Sequence, residues 1–442
     1  MTKRGFSLGL GGLALVALVV RLVYALAIAP DLPARGDTLL YHLLANGIAD
    51  GDGYARPFSE LMTGAPVPTA SYPPLYPLYL SVFSFAGLDS LDAHRAVSCL
   101  LGPVAVVLVG LVGRRLAGPR AGLIAAALAA VYPQLVMVDG TVITEALYAP
   151  LIALILLLGY RLLDGGGGLW IAAGLGAAIG LATLTRTEAI GLVVLLAVPL
   201  CVAAARRRSD PPARIRDALR PALPLAGVAV AATVLVLVPW VVRNAITLDR
   251  AVVFTTNSGH TAAATVCDDT FRGGSPYLGF VRHQCALTGP CAAIADELDQ
   301  AACQRDAAWR YMRDHRGRVP VVLAVRVLRV WELYRYQDDL GYGELWSRSI
   351  PVAKAGLVMY ALMLLLAVGG IVRLRRARVP VWPLLMLAVL VSLSAAMTFG
   401  FSRYRLAAEI PLVLLAGAGL DRGVAALGAR RRRRLAAQPA PA

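Results

Sequence analysis

The fold is decided near the start of the chain, where residues 8–29, LGLGGLALVALVVRLVYALAIA, are followed directly by residues 30–54, PDLPARGDTLLYHLLANGIADGDGY. The first run is long enough to cross the roughly 30 Å hydrocarbon core of a bilayer as one helix. Its end, Ile28-Ala29-Pro30, is a poor cleavage site for a signal peptide, so we interpret the run as an uncleaved span. The second run then places an acidic residue, Asp37, just beyond the bilayer.

The composition of the whole chain extends this pattern. Of 442 residues, 58% are hydrophobic and only 16% are charged, and the mean hydropathy is +0.66. Such values are typical of multi-span membrane proteins and leave little room for a soluble domain. The sequence therefore predicts an all-α polytopic membrane protein.

Apolar segments of spanning length recur along the chain. Ten are predicted to cross the membrane: 8–29, 96–116, 120–137, 145–163, 168–185, 188–205, 222–242, 351–372, 380–400 and 406–424. Two more, 72–88 and 319–335, are predicted to lie along the outer surface. The first is short and opens with SYPPLYP, while the second carries Arg326 and Arg329.

Basic residues cluster at alternate ends of these segments. The formal net charge is +16, and the clusters are Lys3 and Arg4; Arg114, Arg115 and Arg120; Arg206–Arg208 with Arg214, Arg216 and Arg220; Arg373, Arg375, Arg376 and Arg378; and Arg430–Arg434. Because each cluster adjoins an apolar run, it marks the cytoplasmic side of the membrane, and nucleic-acid binding is disfavoured. Both termini are then predicted to be cytoplasmic.

This topology divides the chain into parts. A transmembrane module over 1–242 would contain a first extracytoplasmic loop, 30–95. A second extracytoplasmic loop, 243–350, would follow this module. C-terminal transmembrane helices over 351–424 and a basic cytoplasmic tail, 425–442, would complete the chain. The predicted location is the plasma (inner) membrane, with the functional residues on the extracytoplasmic face. The chemically informative residues fall mostly in or beside the two loops.

Four of the six cysteines lie in the second loop: Cys267, Cys285, Cys291 and Cys303. Four cysteines in an extracytoplasmic loop indicate two disulfides, with three possible pairings. Zinc is the competing interpretation, but the spacing contains no CxxC element. No HxxH or carboxylate-rich cluster is visible either, so a divalent metal is possible but has no evident ligand set.

Two acidic residues are candidates for catalysis. Asp37 lies near the start of a predicted helix with Tyr41 on the same face, and Glu145 begins the span 145–163 at the same membrane level. Either could instead serve only its helix, Asp37 as a cap and Glu145 as a partner of the helix dipole.

Arginines beside the predicted loops are candidates for binding phosphate, because a guanidinium can hold phosphate through two hydrogen bonds. They are Arg186, Arg243, Arg403 and Arg405, and the pair around Tyr404 is favoured because two arginines in so short a turn would be costly without a ligand. Anchoring at the membrane interface is the alternative for each alone. Asn244 and His260 are weaker binding candidates.

Several stretches, taken in order, resemble one enzyme class. GDTLLYHLLANGIADGDGY, SYPPLYPLYL, TEALYAP, TRTEAIGLVVLL, PWVVRN with TTNSGH, and RYRLAAEIPLVLLAG are similar to segments of the lipid-phosphosugar-dependent glycosyltransferases of the GT-C superfamily. The resemblance is to the branch with protein O-mannosyltransferases and the aminoarabinose transferase acting on lipid A. It implies a bundle of about 10–12 transmembrane helices with juxtamembrane helices on the outer face.

The resemblance also implies a reaction and roles. The reaction is inverting transfer of a sugar from a polyprenyl-phosphate donor to a hydroxyl on an envelope glycan, lipid or protein, with Asp37 as general base and Glu145 in positioning. One feature departs from related enzymes, some of which carry a lysine before the proline pair of the first loop. This chain has Ser71-Tyr72-Pro73-Pro74, so Arg56 or Arg95 would have to substitute.

Two other functional classes compete with a transferase. A transporter or flippase for lipid or sugar would also be apolar and multi-span, but the spans 120–137, 168–185, 222–242 and 380–400 contain no internal charge. A non-catalytic assembly subunit would tolerate the loss of Asp37. Transfer activity is therefore the discriminating property.

Overall fold

The computed structural model of the protein describes residues 1–32, 34–208, 214–273, 276–345 and 348–436. Within these ranges the chain forms helices and no strand, apart from an isolated bridge between Ala55 and Pro68. The N-terminal half contains α1 Lys3–Ala27, α2 Asp37–Asp50, α3 Ser59–Thr63, α4 Leu75–Ser84, α5 Leu91–Ser98, α6 Leu101–Ala117, α7 Pro119–Val131, α8 Pro133–Gly140, α9 Glu145–Leu163, α10 Gly168–Thr183 and α11 Val198–Arg207.

The C-terminal half continues in the same way. It contains α12 Ile215–Thr247, α13 Asn257–Thr265, α14 Asp268–Phe271, α15 His283–Leu287, α16 Glu297–Asp314, α17 Val319–Val330, α18 Tyr336–Leu345, α19 Ile350–Arg376, α20 Trp382–Met397 and α21 Leu406–Ala436. Short 3₁₀ turns lie at Ala29–Asp31 after α1, at Thr187–Ile190 after α10 and at Ser402–Arg405 before α21, and a π-helical stretch at Val193–Ala197 precedes α11.

Six helical segments are long and apolar enough to cross a membrane: Lys3–Asp31, Leu91–Ala117, Glu145–Leu163, Thr187–Arg207, Ile215–Thr247 and Ile350–Arg376. The bent pair α7 and α8 makes a seventh if it counts as one span. The predicted class, an all-α polytopic membrane protein, is confirmed. Helices also cover the remaining predicted spans, but the expected total of ten or more crossings stays a prediction.

The two predicted surface segments form helices that are too short to cross a bilayer. At 1.5 Å per residue, α4 with 10 residues and α17 with 12 residues are about 15 and 18 Å long. Arg326 and Arg329 of α17 do not point toward a membrane surface, because both are buried. Each donates to backbone carbonyls of neighbouring segments, Arg326 to Thr265 and Ala396 and Arg329 to Pro276 and Leu278.

A 54° bend separates α7 from α8. It lies at Pro133, which lacks an amide hydrogen and so leaves the carbonyl of Ala129 without its helical partner. The buried guanidinium of Arg21 donates to that carbonyl and to the carbonyl of Ala130, and it forms an ion pair with Asp139 at the end of α8. The sequence analysis did not identify this pair, which fixes the bent helices against α1.

The polar segments 30–95 and 243–350 contact each other through the carboxylate of Glu297. It accepts hydrogen bonds from Thr69, the amide of Ala70, Thr256 and Arg56. Burial alone would raise the pKa of Glu297, but these hydrogen bonds, that of Thr256 first, lower it. The first loop is thus held against the start of α16.

Candidate active site

Arg403 lies between the two acids that the sequence analysis selected. Its Nη1 is 2.7 Å from Oδ2 of Asp37, its Nη2 is 2.9 Å from Oε2 of Glu145, and its Nε also bonds Glu145. Arg403 is separated from Asp37 by 366 positions and from Glu145 by 258 positions in the sequence, so the fold brings distant residues into one charged cluster. The two-bond contact with Glu145 fixes the plane of the guanidinium.

Local backbone features position these three side chains. Asp37 is the first residue of α2, directly after Gly36, whose φ of 56° is a conformation that residues with a Cβ rarely adopt. Glu145 is likewise the first residue of α9. Arg403 lies in the 3₁₀ turn Ser402–Arg405 between α20 and α21, so each side chain leaves the end of a helix and not its middle.

Arg186 extends the cluster from the turn that precedes α11. It forms ion pairs with Glu145 and Glu188, the latter at 2.5 Å, and its guanidinium lies 4.5 Å from the ring centre of Tyr404. Glu188 was not among the predicted residues. Its signal in the sequence was an acid two residues after an arginine in a short connector, within TRTE.

Burial separates the roles of the two acids. Glu145 is 0% exposed and paired with both Arg186 and Arg403, whereas the side chain of Asp37 is 20% exposed and has one ion-pair partner in the part of the chain that is described. Glu145 is therefore suited to hold the arginines in place. Asp37 retains access to solvent and to an incoming molecule.

Arg403 itself is firmly charged. Burial would lower its pKa, but the negative charges of Glu145 and Asp37 outweigh this and raise the pKa well above its usual value. The residue is 5% exposed. It therefore acts as a permanent cation that orients Asp37 and faces any anion brought to the cluster.

Arg405 points elsewhere, although it is only two residues away. Its Nε is 2.5 Å from Glu409, its Nη1 donates to the carbonyl of Val330, and its guanidinium lies 3.7 Å from the ring centre of Tyr360. The structure thus divides the pair that the sequence analysis treated together. Of the two, Arg403 belongs to the cluster around Asp37.

Tyrosines form the apolar floor beneath Asp37. Tyr41 is buried and contacts the rings of Tyr72 and Tyr76 edge-on, with centroids 5.4 and 5.6 Å away. Burial, followed by the charge of Asp37, raises the pKa of Tyr41 well above its usual value. Tyr41 is therefore a neutral neighbour of the acid, on the helix face that the sequence predicted.

The other predicted binding residues lie outside this cluster. Arg243 donates to the carbonyls of Tyr54 and Thr69, and its neighbour Asn244 donates to the carbonyl of Val252. Arg56 pairs with Glu297 and Arg95 with Asp92. These contacts fasten loops together, and substitution of Arg56 or Arg95 for the lysine of related enzymes stays a prediction.

His260 contacts a second histidine, His283. Its Nε2 is 3.0 Å from Nδ1 of His283, and the rings stack with centroids 5.3 Å apart. Burial and then His283 lower the pKa of His260 to about 4, and burial lowers that of His283 although the charge of Asp37 opposes the shift. The two imidazoles are neutral near pH 7.

The second loop is closed by two disulfides, Cys267–Cys285 and Cys291–Cys303. This selects one of the three pairings that the sequence left open. Cys285 is two residues from His283 on α15, so the first disulfide also fixes the histidine pair. In the described ranges, no group of three or more His, Cys, Asp or Glu side chains could hold a metal ion.

Comparison with known proteins identifies similar families and folds. The family model described as dolichyl-phosphate-mannose-protein mannosyltransferase matches residues 71–242. No curated protein matches the chain by sequence.

Solved structures resemble the whole chain. One is the archaeal oligosaccharyltransferase AglB from Archaeoglobus fulgidus in complex with an inhibitory peptide and a dolichol-phosphate: identity is 14%, the TM-score is 0.50, and 98% of this chain and 52% of that chain are covered. The apo form of the Archaeoglobus fulgidus oligosaccharyltransferase is 15% identical with a TM-score of 0.53, and the match covers 100% of this chain and 53% of that chain. ArnT from Cupriavidus metallidurans bound to undecaprenyl phosphate is 14% identical with a TM-score of 0.45, and the match covers 95% of this chain and 79% of that chain.

The chain spans about half the length of the oligosaccharyltransferase structures it matches. At these identities the likeness is one of fold. This likeness of fold and the family match together confirm the resemblance to GT-C membrane glycosyltransferases that was seen in the sequence motifs. The protein is thus a multi-pass membrane protein with a GT-C-like helical fold.

Proposed function

We propose that the protein is an inverting glycosyltransferase that moves a sugar from a polyprenyl-phosphate donor to a hydroxyl group, with Asp37 as the general base. The observation that carries this proposal is the geometry of Asp37, a partly exposed carboxylate held at 2.7 Å by a buried arginine. The arginine is in turn fixed by Glu145, which is fully buried. A carboxylate so oriented, with one open side, is what proton abstraction from a hydroxyl requires.

The proposed reaction is a single displacement. The acceptor hydroxyl gives its proton to the Asp37 carboxylate while its oxygen bonds to the anomeric carbon of the donor sugar. The bond from that carbon to the phosphate oxygen breaks on the opposite face, and polyprenyl phosphate leaves with the electron pair. One carboxylate suffices because the phosphate needs charge stabilisation more than protonation.

The comparisons support the chemical class of donor. The matching family model is described as a dolichyl-phosphate-mannose-protein mannosyltransferase, and the AglB structure contains a dolichol-phosphate. We propose a lipid-linked sugar of this kind for the present chain, with a hydroxyl-bearing envelope molecule as acceptor. Hexose and pentose remain alternatives for the sugar.

We further propose that the site faces away from the cytoplasm. The basic clusters at Arg206–Arg208 and Arg373–Arg376 lie at the ends of α11 and α19, and positive charge favours the cytoplasmic side. The two disulfides of the second loop agree with an oxidising compartment. The loops around Asp37 would then be extracytoplasmic and both termini cytoplasmic.

The deciding experiment is sugar transfer by the purified chain in reconstituted vesicles. A panel of radiolabelled polyprenyl-phosphate hexoses and pentoses is supplied with an extract of envelope acceptors. Asp37→Asn should lower the transfer rate by roughly 10²- to 10⁴-fold because the amide cannot take a proton. Asp50→Asn, at the exposed end of the same helix, is the matched control and should transfer normally.

Near-normal transfer by Asp37→Asn would rule out this residue as the base. An absence of transfer by the unmodified protein across the panel, combined with movement of labelled lipid between leaflets, would instead favour the transporter interpretation.

A further inference from the structure

A cleft lies at the end of the helix bundle opposite to the candidate active site. Helix α21 begins at Leu406, next to the turn that carries Arg403, and Asp421 lies fifteen positions further along it. At roughly 1.5 Å per residue, these two levels are about 22 Å apart. The cleft between α21 and the last turn of α19 has a volume of about 280 Å³, and its lining residues are Arg373, Arg376, Asp421, Arg422 and Ala425.

Close packing of two helices leads up to this cleft. A Cβ on Gly370 of α19 would lie 2.0 Å from the carbonyl oxygen of Leu415, and one on Gly419 of α21 would lie 2.0 Å from that of Leu366. The two backbones are therefore in contact, and a larger residue does not fit at either position. Just beyond these glycines the helices carry arginines, and the cleft opens between the arginines.

The acid of the cleft is already paired. The carboxylate of Asp421, which is 7% exposed, forms ion pairs with Arg373 at 2.5 Å and with Arg120 at 3.0 Å. Arg373 also donates to the carbonyls of Ala418 and Ala117, so it joins α19 to α21 and to the end of α6. These contacts hold one wall of the cleft in place and occupy its carboxylate.

Two guanidiniums in the cleft lack such a partner. Among the residues that the structure describes, neither Arg376 nor Arg422 forms an ion pair with a carboxylate. Nη1 of Arg422 lies 3.5 Å from the carbonyl oxygen of Gly369, which is a long contact for a hydrogen bond. With Arg373 and Arg120 there are four cations around one carboxylate, so three positive charges are unbalanced.

Helix ends alone do not explain this arrangement. Arginines in the last turn of α19 stabilise that helix by facing the negative end of its dipole. Arg422 has no such role, because α21 continues past it to Ala436. A charge that only marked one side of the membrane could point into solvent, whereas Arg422 is half-buried and lines the same cleft as Arg376. The cleft thus has the charge and the shape of an anion site.

We propose that this cleft binds the phosphate of an anionic glycerophospholipid, with Arg376 and Arg422 as the residues that hold it. The lipid belongs to the leaflet away from the active site, which the proposed orientation makes the cytoplasmic leaflet. Basic pockets between transmembrane helices on that side bind lipid head groups. A guanidinium binds phosphate through two parallel hydrogen bonds. The inference is independent of the proposed transfer reaction.

An exposed apolar strip continues from the cleft along α19. Leu365 and Val368 are 74% and 62% exposed, and Val368, Val372 and Arg376 follow each other at intervals of four residues on one helix face. A phosphate held by Arg376 would therefore place its acyl chains along this face. Inorganic phosphate has no such chains, and the ammonium group of a zwitterionic lipid would meet the unbalanced positive charge. Both should bind more weakly than an anionic lipid.

The test is native mass spectrometry of the full chain in detergent, with dioleoylphosphatidylglycerol as the anionic lipid and dioleoylphosphatidylcholine for comparison. The unmodified protein should retain the anionic lipid in preference. Arg376→Gln combined with Arg422→Gln should raise its dissociation constant roughly 10- to 100-fold, as expected for the loss of charge-assisted contacts. Arg376→Lys combined with Arg422→Lys should recover part of the affinity, because charge returns without the planar guanidinium.

A matched control removes two positive charges at the same end of the bundle but outside the cleft. Arg216→Gln combined with Arg220→Gln alters two exposed side chains at the start of α12 and should change the affinity by less than about twofold. Folding of each variant is checked by size-exclusion elution and thermal unfolding without added lipid. Arg376→Gln alone changes an exposed side chain and leaves both ion pairs of Asp421 in place, and it should raise the dissociation constant roughly 3- to 10-fold.

Equal affinity of the control and of the folded variants at Arg376 and Arg422 would overturn the inference. Equal retention of the two lipids by the unmodified protein would overturn it as well, because the cleft would then not select for charge. Displacement of the anionic lipid by an excess of inorganic phosphate would show that the cleft takes the free ion, which also contradicts the proposal.

Discussion

Replacement of Arg403 by methionine should destabilise the protein more than replacement of Glu145 by glutamine. The charged cluster contains three carboxylates, Asp37, Glu145 and Glu188, and two guanidiniums, Arg186 and Arg403. Removing Arg403 leaves three negative charges with one positive charge. Removing the charge of Glu145 leaves one carboxylate for each guanidinium, Glu188 for Arg186 and Asp37 for Arg403.

The size of the difference follows from burial. Loss of one partner of a buried ion pair costs about 3–5 kcal/mol, and Arg403→Met should fall near the lower limit because Glu145 keeps Arg186 and Asp37 can be partly hydrated. Glu145→Gln should cost about 1–3 kcal/mol, the usual effect of a lost hydrogen bond to a charged group. Arg250→Met, at an exposed ion pair, should leave the stability nearly unchanged.

The measurement is equilibrium unfolding of the three variants in one detergent or nanodisc preparation, with sugar transfer recorded on the same samples. Glu145→Gln should retain the fold but transfer slowly, because Arg403 and hence Asp37 lose their fixed orientation. Equal stability of Arg403→Met and Arg250→Met would refute the reasoning. It would mean that the cluster is hydrated in solution and does not hold Asp37 in place.

Two further predictions concern pH and packing. His260 and His283 have folded pKa values below the unfolded value of about 6.5. Their contribution to stability is therefore intact above that pH and is lost as the pH falls below it, for His260 through its folded pKa of about 4. Thermal unfolding midpoints between pH 7.5 and 5 should fall less steeply in His260→Gln, and parallel curves would contradict this. Gly102→Ala would place a Cβ 2.0 Å from Nε of Arg21 and should lower the unfolding midpoint, whereas Gly12→Ala meets no atom within 4 Å and should not; equal midpoints would show that the Arg21 ion pair can shift at little cost.

Features that depend on composition and periodicity were predictable from the sequence. Apolar runs of about 20 residues can satisfy their backbone only as helices in a bilayer, so the all-α polytopic class followed directly. Charge placement also predicted that 72–88 and 319–335 do not cross the bilayer, and α4 and α17 are too short to do so. Their position along the outer surface stays a prediction. The common membrane level of Asp37 and Glu145 was predicted from the topology, but their shared contact with Arg403 did not follow from spacing.

Contacts between distant segments could not be predicted in this way. Arg21 is a single charge within an apolar run of the sequence, and only the bend at Pro133 shows that it replaces a lost helical hydrogen bond. Arg326 and Arg329 looked amphipathic, yet they bind carbonyls of other segments. A guanidinium has five donors, and the sequence does not show whether these meet water, phosphate or backbone.

The same limit applies to the two arginines around Tyr404, Arg403 and Arg405. Two arginines around an aromatic residue in a short turn resemble a phosphate clamp, but a buried arginine can bind phosphate strongly only if its charge is not already neutralised. Arg405 is neutralised by Glu409, and Arg403 holds the carboxylates of Asp37 and Glu145. Burial and existing ion pairs therefore decide which of these arginines is available to an anion, and the sequence shows neither.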